Sequence, residues 1–147
     1  MEDYNWIEMM EKMQEIRLFA SLNIRGKRNG NTSPQELDIL SRIIMSDTPL
    51  TPLDMSVITG LNKSAVSRLT RHLEKKEFLL KKYNKKDKRS YTLYITEKGN
   101  QELNQAYRHY LEPIYKLRRT IGEERFKLLT TQIKEANNIL QNKEAEK

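Results

Sequence analysis

Ser64, Ser67, Arg68 and Arg71 recur at steps of three, one and three residues, which places them on one face of a helix. Their shared chemistry is hydrogen-bond donation, half of it with positive charge. A guanidinium offers a planar fork of donors that fits guanine or phosphate, and a serine hydroxyl contacts either bases or phosphates. Lys63 stands just ahead of them, where it suits a phosphate near the helix start. A second cluster follows at Asn84-Lys85-Lys86-Asp87-Lys88-Arg89. Arg89 suits a narrow minor groove or a phosphate, and Lys85, Lys86 and Lys88 suit phosphates irrespective of sequence. Asp87 is unfavourable beside a polyanion, so it reads as an internal partner for an arginine.

Other chemistries find no constellation. The chain has no phosphate-cradling glycine loop, no metal-ligand spacing and no paired nucleophile and base, so no enzyme, metal or cofactor is expected. Its two histidines, His72 and His109, stand apart from any acidic cluster and read as structural or solvated. There are no cysteines, which excludes disulfides, thiolate zinc sites and thiol redox sensing. The methionines of the first helix read as adaptable core or interface filler rather than as a ligand pocket.

Charge is distributed unevenly over the 147 residues. Between Asn62 and Ser90 eleven Lys or Arg face three acids, whereas the rest of the chain has sixteen against seventeen. One segment therefore holds the whole +7 excess, the electrostatic footprint of a polyanion binder. No apolar run is long enough to span a bilayer, and the acidic start at Glu2 and Asp3 lacks a secretory pattern. A cytoplasmic protein is expected.

The elements that position these groups follow from periodicity and caps. Trp6, Met9, Met13, Ile16 and Ala20 mark a first helix over about 3–22, and the Gly- and Asn-rich stretch 23–32 reads as a loop. Ser33-Pro34-Gln35-Glu36 and Thr51-Pro52-Leu53-Asp54 are helix starts. Gly60 closes the second of these helices, and Asn62 can cap the next. Ala65, Val66, Leu69 and Leu73 form the inner face of that helix, opposite the Ser and Arg face. Two helices joined at a glycine turn, the second basic outside, make a helix-turn-helix. Strands at 78–83 and 90–95 flank the basic tip as a wing. Leu103, Tyr107, Tyr110, Ile114, Leu117 and Ile121 follow a seven-residue repeat, the spacing of a helix seam. Pro113 lies inside it and predicts a kink or break. Phe126, Leu129, Ile133, Ala136 and Leu140 share one face of a last helix over about 123–142, and the tail from Lys143 is expected to fray.

With this order in place the chain resembles the MarR family of bacterial transcription regulators. The resemblance is carried by Leu61-Asn62-Lys63-Ser64-Ala65-Val66-Ser67-Arg68-Leu69, continuing to His72-Leu73-Glu74-Lys75-Lys76. It extends through Asp87-Lys88-Arg89 and Leu93-Tyr94-Ile95-Thr96-Glu97-Lys98-Gly99. It implies a mostly α fold with a small β-hairpin wing, a winged helix-turn-helix with intertwined N- and C-terminal dimerisation helices. Residues 1–32 would be the N-terminal dimerisation helix and loop, 33–99 the DNA-binding domain and 100–147 the C-terminal dimerisation helices. The implied homodimer interface comprises Trp6, Met9, Met13, Leu117, Phe126, Leu129, Ile133 and Leu140. The implied partner is double-stranded DNA, with a recognition helix in the major groove and the wing at the minor groove. Asp87 would brace the hairpin and Arg89 would reach DNA. Many relatives are repressors released by a small-molecule effector. One departure concerns Glu77, which stands where such proteins usually have Gly; a positive φ there would cost roughly 1 kcal/mol. The alternative is a winged-helix protein-interaction module without sequence-specific DNA binding. It predicts a neutral or acidic outer face, which Lys63, Arg68, Arg71 and Arg89 contradict.

Overall fold

The computed structural model describes residues 5–24 and 32–145. Six helices and one hairpin follow in the order α1 (Trp6–Ile24), α2 (Pro34–Met45), α3 (Pro52–Thr59), α4 (Lys63–Lys75), β1 (Leu79–Tyr83), β2 (Tyr91–Ile95), α5 (Glu97–Ile121) and α6 (Glu123–Ala145). The fold is mostly helical with one small antiparallel hairpin, as the sequence predicts. The expected helix start at Asp3 and most of the expected loop at 23–32 lie outside the described residues. Among the described residues, no helix is long and apolar enough to cross a membrane.

Helix starts are set by local hydrogen bonds. The Ser33 hydroxyl accepts the Glu36 N–H at 3.2 Å, and the Glu36 carboxylate accepts the Ser33 N–H at 3.4 Å. Thr51 and Asp54 make the same reciprocal box at the head of α3, at 3.1 and 2.9 Å. Each box satisfies two N–H groups that a helix start otherwise leaves unpaired. The Thr51 backbone and hydroxyl also hold the Asp54 carboxyl below its ordinary range, because hydrogen bonds to a carboxylate favour its charged form.

Chain contacts divide the molecule into two compact units, one of residues 27–110 and one of residues 1–26 with 111–147. In the first, Ile39, Leu40, Leu50, Met55, Val66, Leu69, Leu73, Phe78, Leu79 and Leu93 form a buried cluster drawn from α2, α3, α4 and the hairpin. Strands β1 and β2 pair antiparallel, with Leu79 opposite Ile95, Lys81 opposite Leu93 and Tyr83 opposite Tyr91. Leu50 adds one bridge to this pair, its carbonyl accepting the Leu93 N–H at 2.8 Å. The ladder thus anchors the segment ahead of α3 to the root of the wing.

The second unit contains α1, the C-terminal part of α5 and α6. Its apolar surface is largely open in the single chain. Trp6 is 70% exposed, and Ile7, Met9, Met10, Met13, Ile16 and Leu22 are exposed with it. On α6 Leu128, Ile133, Ile139 and Leu140 are exposed, while Phe126 and Leu129 and, on α5, Leu117 are half-buried. Gly122, at φ 90°, turns the chain from α5 into α6 and donates its N–H to the Arg118 carbonyl at 3.0 Å.

Two expectations need correction. Pro113 does not end the helix, because α5 is continuous from Glu97 to Ile121. A proline removes one backbone hydrogen bond, and the turns on either side keep theirs. The last helix also runs past Asn142, to Ala145, where the sequence predicts a frayed tail.

Candidate nucleic-acid interface

Helix α4 is aimed by its N-cap, its buried ridge and its C-terminal turn. Asn62 Oδ1 accepts the Ala65 N–H at 2.8 Å. Val66, Leu69 and Leu73 are buried, and so is Thr70, whose hydroxyl donates to the Ser67 carbonyl at 3.1 Å. That polar side chain is therefore satisfied inside the core. The preceding turn is equally constrained. Gly60 adopts φ 75° and donates its N–H to the Ser56 carbonyl at 3.0 Å. The Thr59 hydroxyl donates to the Met55 carbonyl at 2.6 Å and accepts the Leu61 N–H at 3.2 Å.

The C-terminal turn of α4 decides where the wing begins. The Phe78 N–H reaches the Leu73 carbonyl and the Glu77 N–H reaches the Glu74 carbonyl, both at 3.0 Å. This is a Schellman turn, whose left-handed residue is Glu77 at φ 65°. The conditional expectation from the sequence is met, since Glu77 has a positive φ. Thr96 then locks the wing's exit, its hydroxyl donating to the Glu77 carbonyl at 2.6 Å and accepting the Gly99 N–H at 3.0 Å. A Cβ on Gly99 would lie 2.2 Å from the Phe78 carbonyl oxygen. The Thr-Glu-Lys-Gly motif is therefore a cap followed by a close backbone approach.

The tip of the wing is folded by its own side chains. Asn84 donates its N–H to the Ser90 carbonyl at 2.8 Å. Asp87 Oδ1 accepts the Arg89 N–H at 3.0 Å and lies 3.4 Å from the Arg89 Nε. The carboxylate is thus occupied locally, while the Arg89 side chain is 94% exposed.

All nine predicted DNA-contacting side chains, Lys63, Ser64, Ser67, Arg68 and Arg71 on α4 and Lys85, Lys86, Lys88 and Arg89 on the wing, are solvent-exposed. Some of them converge. A cleft of about 540 Å³ is lined by Thr51, Pro52 and Leu53 from the head of α3, by Lys63 and Ser67, and by Asp87 and Arg89. Ser64, Arg68 and Arg71 do not line it and stand on the open face beyond. Lys85 and Lys88 border a separate depression with Tyr83 and Asn84.

Lys75 was missed by the sequence reading. It is exposed and follows Ser64, Arg68 and Arg71 by eleven, seven and four residues, so it extends their stripe by one turn. The signal was present in the helical spacing but lay among charges assigned to the segment as a whole. Among the described residues no group of three His, Cys, Asp or Glu could hold a metal ion.

Comparison with known proteins places this geometry. The MarR family model matches residues 32–91. No curated protein matches the chain. Among solved structures, a MarR/EmrR family transcriptional regulator from Acinetobacter sp. ADP1 is 24% identical with a TM-score of 0.77, covering 92% of this chain and 98% of that one. A MarR protein from Peptoclostridium difficile is 17% identical with a TM-score of 0.75, covering 97% and 93%. A mutant MarR from E. coli, complexed with operator DNA, is 15% identical with a TM-score of 0.75, covering 91% and 99%. At these identities the likeness is one of fold. The MarR family model thus covers the helix-turn-helix and most of the wing, and over nearly its whole length the chain shares the fold of solved MarR family regulators.

Proposed function

We propose that this protein is a transcriptional repressor that binds double-stranded DNA as a homodimer and reads an inverted repeat. Residues 33–99 bind DNA, with α4 in the major groove and the wing at the minor groove. Residues 1–32 and 100–147 supply the dimerisation helices, and a small-molecule effector releases the complex. The observation that carries the reading is the exposed basic face of α4 beside an exposed Arg89, in the segment that holds all of the chain's excess charge. The alternative interaction module gains no support from such a face. A fold shared with a mutant MarR solved on operator DNA adds to the case.

The test is fluorescence anisotropy of the purified protein at about 150 mM salt, near the physiological range. One duplex carries the DNA upstream of the protein's own gene, and the other a shuffled sequence. Preference of roughly a thousandfold, the low end of specific recognition, is the expected result for a repressor of its own gene. Equal weak binding would move the target elsewhere. No binding even at low salt would end the DNA reading.

A further inference from the structure

The outward stripe of α4 has a composition that discriminates among bases. At 3.6 residues per turn, the positions opposite the buried ridge of Val66, Leu69 and Leu73 are Ser64, Arg68, Arg71 and Lys75, all exposed. Among the described residues, the side chains of Arg68, Arg71 and Lys75 make no hydrogen bond or ion pair. Their donors are therefore free.

In the major groove, guanine presents two acceptors, N7 and O6. Cytosine presents a donor, adenine a donor beside an acceptor, and thymine an acceptor and a methyl group. Reading cytosine calls for a carboxylate, and reading adenine for an amide that donates and accepts at once. The one carboxylate of α4, Glu74, has its Oε1 3.6 Å from the Lys81 Nζ on β1. No Asn or Gln occurs between Lys63 and Lys75. The neighbouring amide, Asn62, has its oxygen occupied as the N-cap. The methyl-bearing candidates for thymine are turned away, since Thr70 is fully buried and Ala65 is half-buried off the stripe. Ser64 and Ser67 can both donate and accept, so they fit several bases and select none. Two forked cations are left as discriminating groups, three residues or about 4.5 Å apart along the axis, close to the 3.4 Å base-pair step.

We infer that α4 reads guanine, with Arg68 and Arg71 each donating to the N7 and O6 of guanines on neighbouring base pairs of the half-site. Lys75, a turn further from the base-reading N-terminal part of the helix, holds a phosphate. This inference rests on the DNA-binding reading above and adds the class of base that is read.

Selection of bound duplexes from a randomised pool by the full chain, then 7-deazaguanine substitution in the selected site, tests it. The substitution replaces N7 by C–H and leaves pairing and charge unchanged. Expected are two neighbouring G·C pairs in every enriched half-site, and a loss of about ten- to a hundredfold when either guanine is replaced. Arg68→Ala and Arg71→Ala should each erase the preference at one position. Lys75→Ala should weaken all duplexes alike and lower the salt slope by about one. Enriched half-sites with only A·T pairs, or tolerance of 7-deazaguanine, would overturn guanine reading while leaving sequence-specific binding intact. Failure to enrich any sequence would overturn both.

Discussion

Glu77 and Gly99 flank the wing, one at its entry and one just after its exit, and each breaks or obeys a backbone rule. Glu77 sits at φ 65°, a region in which a side chain's Cβ crowds the backbone and only glycine is at ease. Its carboxylate lies 3.5 Å from the Lys98 Nζ, but both side chains are exposed, and such pairs contribute little. Glu77→Gly should therefore stabilise the fold, by about 1 kcal/mol, read as a higher urea midpoint at unchanged slope. An unchanged or lower midpoint would mean that the Lys98 pair outweighs the backbone strain. Gly99 is the opposite case. With the Phe78 oxygen only 2.2 Å from where a Cβ would stand, the main chain must move to admit one. Gly99→Ala should lower stability by roughly 1–3 kcal/mol, the usual scale for overpacking. A midpoint equal to that of the parent would show that α5 can shift freely at its start.

At the scale of elements, much was legible and for a definite reason. The starts of α2, α3 and α4 are written in Ser33, Thr51 and Asn62, because a cap is a local hydrogen bond that needs only its neighbours. The inner face of α4 was legible from the spacing of Val66, Leu69 and Leu73. Less legible was what depends on distant partners. Thr96 caps α5 by a local bond to the Gly99 N–H, yet its second bond, to the Glu77 carbonyl, joins residues nineteen apart. The bridge from Leu50 to Leu93 and the ion pair of Lys76 with the buried Glu36 at 2.9 Å have the same character. Pro113 does not break α5 because the rule concerns one hydrogen bond, whereas helix continuity depends on the turns around it. Because its cap is local, Asn62→Ala should cost about 1 kcal/mol of stability and weaken DNA binding without altering the dimer. The paired readouts are the thermal midpoint and anisotropy on a selected duplex. A cap without a role in orienting α4 would move only the first.

For the whole molecule, the unresolved physical problem is the apolar surface of α1 and α6. Helix α1 exposes large side chains on more than one side, among them Trp6, Met9, Met13 and Ile16. A broad stripe of large apolar side chains, opposite a face that carries Glu8, Glu11, Lys12 and Glu15, is the pattern of a helix that packs against another surface. A chain of 147 residues with 32% charged side chains has little core to spare for it, so a second copy is the simplest cover. Ile133 and Leu140 are the sharpest probes. They are 41% and 64% exposed in the single chain, so a charge there is solvated in a monomer and desolvated only in an assembly, where it is costly. Leu129 is half-buried within its own unit, so Leu129→Glu would damage the monomer too. Ile133→Glu with Leu140→Glu should halve the mass measured by light scattering and leave the helical circular dichroism near that of the parent. The monomer should also lose affinity for an inverted repeat far more than for a single half-site, since linking two half-site contacts is what a dimer adds. A double variant that keeps the dimer mass would place the interface elsewhere on α1 or α5. A monomer that binds the inverted repeat as tightly as the parent would separate DNA binding from dimerisation altogether.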